Sequence, residues 1–134
     1  MVCIHCGGKT QVINSRHQKR SNQVWRRRHC LICKSTFTTQ ESTEYTLAWQ
    51  VKNRSSRLEP FSRDKLFLSI WNSLQHRKTA LTDASGLTDT VIKKLLQEVE
   101  AATLGSPSIA RAVFVALNRF DKVAATHYQA FHPL

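Results

Sequence analysis

All four cysteines of this chain lie between positions 3 and 33, as Cys3-Ile4-His5-Cys6 and Cys30-Leu31-Ile32-Cys33. Two Cys-x-x-Cys pairs separated by 23 residues fit a zinc ribbon. Each pair curls into a tight knuckle that offers two thiolates, and four thiolates complete the tetrahedron of a closed structural zinc site. Soft sulfur ligands admit zinc or an iron–sulfur cluster, and a small protein of a reducing compartment favours zinc. Two disulfides would need an oxidising compartment and a secretion signal, and no apolar signal-peptide core precedes Cys3. A redox Cys-x-x-Cys lacks its βαβ context and would not occur twice. His5 and His29 adjoin the knuckles and are expected to be exposed or phosphate-facing rather than ligands. Gly7 and Gly8 follow the first knuckle, where glycine relieves a turn. A region of about 40 residues cannot bury a self-sufficient core, so the metal is expected to supply much of its folding free energy.

Charge separates the chain into two halves. The 134 residues include 20 Lys+Arg and 9 Asp+Glu, a formal net charge of +11. Residues 1–57 hold eleven basic and two acidic side chains, whereas residues 58–134 hold nine and seven. A concentrated positive half beside a nearly balanced one points to a polyanion-binding module attached to something else. No apolar run approaches the length of a membrane span, so the expected location is the cytoplasm. The segment after the first 40 residues is too short for a large central sheet, which excludes the common two-layer α/β enzymes.

Between the knuckles, Gln11–Arg16 reads as a strand, His17–Asn22 as a basic turn and Val24–His29 as the returning strand. Thr36–Thr39 supplies a short third strand. Alternation sends Trp25, Arg27 and His29 to one face and Arg26 and Arg28 to the other, so the three arginines bracket phosphates on both sides of the strand. Trp25 either packs against Phe37 or stays exposed as a stacking surface. Phosphate contact gives affinity and salt dependence; base-edge contact gives specificity, for which Asn14, Arg16, Gln23, Arg26 and Arg28 carry suitable donors.

The remainder reads as a hairpin and four amphipathic helices. Tyr45–Lys52 is β-prone, Asn53–Ser56 is a polar turn and Arg57–Glu59 a short return. Ser62 is an N-cap for a helix carrying Leu66, Ile70 and Leu74. Gln75–Gly86 reads as a loop, and Thr88 as the cap of a helix with Val91, Ile92, Leu95, Leu96 and Val99. Ser106-Pro107 places a cap and an N1 proline before a third helix, and Asp121 caps a fourth with Val123, Ala124, Tyr128 and Phe131. No acid–base pair, triad or free cysteine suggests catalysis. Arg54 and Arg57 on the hairpin, with Lys65 in the first turn of the following helix, could hold a polyphosphate through charge and orphan N–H groups.

The ordered set Cys3-x-x-Cys6-Gly7, Val12-Ile13-Asn14-Ser15-Arg16, Arg26-Arg27-Arg28-His29-Cys30-x-x-Cys33 and Phe37-Thr38-Thr39-x-Glu41 resembles the NrdR family of bacterial transcriptional regulators. So do Glu59-Pro60-Phe61-x-Arg63-Asp64-Lys65-Leu66 with Arg54 and Arg57, and Leu117-x-x-Phe120-Asp121-x-Val123-Ala124 with Tyr128 and Phe131. The resemblance implies an α+β protein. Its zinc-ribbon DNA-binding domain would span residues 1–44, and an ATP-cone-like regulatory and oligomerisation domain 45–134. It implies zinc on Cys3, Cys6, Cys30 and Cys33, and DNA at Arg16, Arg26, Arg27 and Arg28. ATP or dATP would lie at Arg54, Arg57 and Lys65.

Family members are non-catalytic repressors of ribonucleotide reductase genes that act at paired operator boxes and change oligomeric state with the bound nucleotide. The chain departs from the family pattern at Asn53, Ser55 and Ser56, where the family has Lys, Asp and Gly, and at Asn14, where it has Asp. A serine at position 56 is unfavourable if its turn needs positive φ. The expectation is therefore a zinc-dependent DNA-binding regulator, a homo-oligomer on double-stranded DNA, under ATP/dATP control. Two other readings remain: a regulator whose cone only assembles the protein, and a zinc-ribbon RNA-binding or adaptor protein.

Overall fold

A computed structural model describes residues 1–134, which form two compact units, Met1–Thr43 and Glu44–Leu134. In the first, β1 (Thr10–Gln18), β2 (Gln23–Cys30) and β3 (Thr36–Glu41) make an antiparallel sheet in the order β1-β2-β3. The strands run further than β-propensity suggested, because β1 and β2 stay paired down to Gln18↔Gln23 and leave a tight turn with Asn22 at φ 49°. The pairing is interrupted once. Val12 pairs Arg28 and Asn14 pairs Arg27, so Ile13 is an extra residue, a β-bulge. The fully buried residues of this unit are Cys3, Cys30 and Ser21; no aliphatic or aromatic side chain is buried in it.

The second unit has an ordinary core. Here α1 (Tyr45–Ala48) leads into β4 (Gln50–Lys52), which pairs antiparallel with β5 (Leu58–Pro60) and parallel with β6 (Thr103–Gly105). Around this small sheet lie α2 (Arg63–Ser73), α3 (Ala80–Glu98), α4 (Ser106–Phe120) and α5 (Lys122–Phe131). Ile70, Leu74, Leu95, Val113 and Leu117 sit at its centre with no exposed surface. Burying each such aliphatic side chain contributes about 1.5–3 kcal/mol.

Several boundaries differ from the sequence expectation. Tyr45–Ala48 is a helical turn rather than strand. The Glu44 carboxylate accepts from the Thr46 N–H, and Tyr45 packs against Trp49 one turn later, with ring centroids 4.3 Å apart and the planes tilted by 39°. Trp49 meets Phe61 edge-on at 5.4 Å, which fixes both against the hairpin. The expected loop to Gly86 is helix from Ala80, because Ala80, Ala84, Thr88, Val91 and Leu95 form one continuous buried stripe. Thr88 is therefore not a cap: it is buried mid-helix, and its hydroxyl donates to the Ala84 carbonyl at 2.6 Å. Strand β6 was not anticipated. Gly105, not Ser106, is the N-cap of α4. Ser62 and Asp121 cap α2 and α5 as expected.

Candidate functional site

The ribbon's knuckles build the first site. In each, the residue after the second cysteine takes a left-handed conformation, Gly7 at φ 73° and Lys34 at φ 64°. Lys34 holds that strained geometry through a bond from its Nζ to the Leu31 carbonyl at 2.9 Å. Backbone N–H groups turn toward sulfur: His5 N–H to Cys3 at 3.3 Å, and Ile32 and Cys33 N–H to Cys30, both at 3.4 Å. The two knuckles approach so closely that a Cβ on Gly8 would lie 2.7 Å from Ile32 Cδ1 and 3.2 Å from Cys6 Sγ.

All four cysteines are free, and their sulfurs lie within 4.8 Å of one another. Cys3 and Cys33 sulfurs are 3.6 Å apart, and those of Cys6 and Cys30 3.5 Å. A tetrahedral zinc with bonds of about 2.3 Å needs sulfur–sulfur edges of about 3.8 Å. The cluster is thus shaped and sized for a metal ion of this kind.

Ser35 was not singled out from the sequence. Its hydroxyl lies 3.0 Å from the Cys33 sulfur and 3.5 Å from that of Cys3. It lowers the Cys33 thiol and, with the His5 N–H, brings Cys3 down to about 5. Cys6 moves the other way. Although the Gly8 N–H favours its thiolate, the crowding of Cys30, Cys33 and Cys3 and partial burial push it up to about 11. A bound dication favours the thiolate at all four sulfurs.

Beyond the cluster, cross-strand pairs sort the candidate DNA residues onto two faces. Arg16 pairs Trp25, Asn14 pairs Arg27 and Arg27 pairs Thr38, so these five share one face. Together they line a shallow depression of about 250 Å³. The opposite face carries Arg26, Arg28, Phe37, Thr39 and Glu41. There Arg26 pairs with Glu41 at 2.7 Å, and Arg28 Nε donates to Thr39 Oγ1 at 3.1 Å. Phe37 thus lies across the sheet from Trp25, and the indole is 44 % exposed. The packing of Trp25 on Phe37, one of the two expectations, does not form, because residues 25 and 28 point to opposite sides.

Of the three candidate phosphate ligands in the second unit, Lys65 alone lines a cavity. Lys65 lines a cavity of about 260 Å³ with Glu59, Ser62, Ile109, Tyr128 and His132. Its Nζ lies 3.5 Å from Glu59, and the Tyr128 and His132 rings stack at 4.2 Å. Tyr128, His132 and Glu59 were not singled out as site residues; the only signal was the four-residue spacing of the two rings. Arg54 and Arg57 are not among the cavity's lining residues, and Arg54 donates to the Pro133 carbonyl. Asn53 shapes the hairpin turn, its Oδ1 accepting from the Ser55 and Arg57 N–H groups, each at 3.0 Å. Ser56 sits at φ 64°, the positive value that glycine would tolerate better.

Comparison with known proteins adds three findings. The family model described as "Transcriptional repressor NrdR-like, N-terminal domain" matches residues 1–41. Over 98 % of its length the chain is 33 % identical to the "Transcriptional repressor NrdR" of Syntrophotalea carbinolica, covering 83 % of that protein. Proteins of the same name in Symbiobacterium thermophilum (32 %, 87 % covered) and Natronomonas pharaonis (36 %, 83 % covered) match over the same share of this chain.

Proposed function

This chain belongs to the NrdR family of transcriptional repressors, and from that premise we propose that it is a zinc-dependent repressor that binds double-stranded operator DNA. Regulators of this family are not enzymes. The observation that carries the reading is the four-sulfur cluster at one end of a sheet whose exposed surface is rich in arginine. Zinc on Cys3, Cys6, Cys30 and Cys33 supplies a structural cross-link and no chemistry. It holds β1 and β2 so that Arg16, Arg26, Arg27 and Arg28 meet the phosphates and bases of a duplex.

In this reading the second unit is the regulatory one, an ATP-cone in which ATP or dATP occupies the cavity beside Lys65. The base or ribose lies against the Tyr128–His132 stack, and Arg54 and Arg57 come from the hairpin to the phosphates. Assembly into a homo-oligomer is supported by a groove of about 580 Å³ between α3 and α4. It is lined by Val91, Val115 and Phe120 and by the charged side chains of Lys94, Glu98, Arg111 and Arg119. A partly apolar face that carries both charge signs can meet a copy of itself across a two-fold axis. Nucleotide then regulates DNA binding by favouring one assembly over another, which requires unequal affinity for the two. The regulated targets are ribonucleotide reductase genes, each carrying paired operator boxes.

One observation favours a second reading, in which the cone only assembles the protein. Arg54 is engaged by the Pro133 carbonyl, and Asn53 is occupied in its own turn. One titration decides between them. Zinc-loaded, nucleotide-free protein is added to a labelled duplex from upstream of ribonucleotide reductase genes, with ATP, dATP or neither, beside the Arg54→Ala/Lys65→Ala double variant. Affinity that differs between nucleotides in the wild type and not in the variant supports nucleotide control. Equal affinity in all conditions leaves the assembly reading, and absence of duplex binding refutes the repressor.

A further inference from the structure

The ribbon's two faces differ in what their side chains are free to do. On β2 the residues alternate between exposed Trp25 and Arg27 and half-covered Arg26 and Arg28. On β3 the same alternation separates exposed Thr36 and Thr38 from half-covered Phe37 and Thr39. The covered face spends its polar groups internally, with Arg26 on Glu41 and Arg28 on Thr39, and the Thr39 hydroxyl itself faces the Arg26 carbonyl at 3.4 Å. On the open face Arg27 makes one bond, to Thr36 Oγ1 at 3.2 Å, and neither Arg16, Asn14 nor the Trp25 indole N–H has a protein partner.

The bulge at Ile13 makes this face. Counted from the knuckle end, an unbroken register would set Ile13 opposite Arg27. The extra residue places Asn14 there instead and carries Arg16 opposite Trp25. Bulges recur where a strand must re-aim a side chain at a functional site. The outcome is an amide, two guanidinium groups and an indole on one surface of the β1–β2 hairpin, at the β1 edge of the three-stranded sheet, and the major groove of a duplex is wide enough for two such strands. An asparagine matches the N6/N7 edge of adenine and an arginine the O6/N7 edge of guanine. An indole offers apolar contact to a thymine methyl.

Resting on the DNA-binding reading above, we infer that the ribbon divides its labour by face. Asn14, Arg16, Trp25 and Arg27 read base edges in the major groove. Arg26 and Arg28 contribute charge toward phosphates from the opposite side, without sequence preference. Asn14 and Trp25 are thereby specificity-determining residues.

The test compares selectivity rather than affinity. A duplex is first recovered from a random-sequence pool by selection with the zinc-loaded full chain, and a scrambled duplex of the same composition serves as reference. Single variants Asn14→Ala, Arg16→Ala, Trp25→Ala and Arg27→Ala are expected to lower the selected-to-scrambled affinity ratio by about tenfold each, the scale of one base contact. Arg26→Ala and Arg28→Ala are expected to weaken both duplexes by the same factor, hold the ratio within about twofold and shallow the salt slope by about one.

Zinc content and the far-UV spectrum of each variant establish that the ribbon is folded. Deleting Ile13 provides an independent check: it removes the extra residue yet leaves Asn14 opposite Arg27 and Arg16 opposite Trp25, so the ratio should hold within about twofold. A ratio that falls equally for variants of both faces, or only for Arg26→Ala and Arg28→Ala, overturns the division while duplex binding stands. A wild-type chain that selects no duplex, or that prefers single-stranded RNA, overturns the DNA reading as well.

Discussion

Removing the metal should unfold the first unit and leave the second intact. The magnitude follows from what the ribbon lacks. Its buried side chains are Cys3, Cys30 and Ser21, and Val24 and Phe37 are only partly covered, so little apolar surface is withdrawn from water to offset the ordering of 43 residues. Backbone ordering alone costs roughly 1–2 kcal/mol per residue, and a three-stranded sheet without a core does not recover it. Structural zinc contributes an apparent 10–16 kcal/mol or so in small fingers near neutral pH. This far exceeds the margin on which a domain of this size stands.

The second unit instead draws on a core running from Trp49 to Tyr128. Stripping zinc with a mercurial and chelator under reducing conditions, or substituting Cys33→Ser, should therefore collapse the dispersed amide resonances of residues 10–41. The helical unit's melting should shift by less than about 3 °C, under roughly 0.5–1 kcal/mol for its size. A metal-free, reduced chain whose β2 amides stay dispersed and protected from exchange would refute the reasoning, because the sheet would then be stable on its own.

Three further outcomes test the second unit. The Asp121 carboxylate caps the Val123 and Ala124 N–H groups at 2.9 and 3.1 Å and accepts from His76 Nε2 at 2.9 Å and Arg77 Nη1 at 3.1 Å. Asp121→Ala should cost about 2–3 kcal/mol in urea unfolding, and Asp121→Asn less because the cap survives. The His76 bond, the cap and Arg77 hold Asp121 at about 2, below its ordinary 3.8. A lowered folded-state value means that its contribution is complete above about pH 4 and is lost as pH falls from there toward 2, which acid titration of the wild type against Asp121→Asn would show.

Ser56→Gly should stabilise the hairpin by about 0.5–1 kcal/mol. Relief of a left-handed serine at φ 64° outweighs the greater freedom of glycine in the unfolded chain. An unchanged urea midpoint would mean that the turn carries no strain. Leu95→Ala, at a site with no exposed surface, should cost about 2–5 kcal/mol while zinc content stays at one ion per chain.

How far the sequence foretold these features depends on the range of the interaction that sets each one. The cysteine cluster was legible because ligand spacing within a knuckle is a local constraint. Ser62 and Asp121 were legible because a cap acts within one turn. Facing along β2 was legible from alternation alone. The bulge at Ile13 was not, since it is a relation between two strands and nothing in Val12-Ile13-Asn14 marks the slipped register. Strand β6 and helix α3 failed for a related reason. Thr103–Gly105 is strand only because β4 lies beside it, and Gly86 interrupts a helical pattern that tertiary burial of Ala84 and Thr88 sustains. The cavity beside Lys65 gathers Ile109 and His132 from distant parts of the chain, beyond the reach of any motif.

The same contrast explains why a DNA-reading surface can be built on so small a sheet. A sheet that depends on a hydrophobic core must give one face to apolar side chains, and alternation then leaves half of each strand for function. Here the metal cluster and its N–H···S bonds hold the knuckles at one end, and Gln11–Gln18 is exposed at every position. Neither face is thereby required to carry a full apolar layer. One closes on itself through Arg26–Glu41 and Arg28–Thr39, which stiffens β2 against β3 without an apolar layer. The other keeps Asn14, Arg16, Trp25 and Arg27 solvated, at positions a flexible loop could not hold. On this account, replacing Thr39 or Glu41 should act as Arg26→Ala and Arg28→Ala do and leave the affinity ratio within about twofold, because neither side chain reads a base.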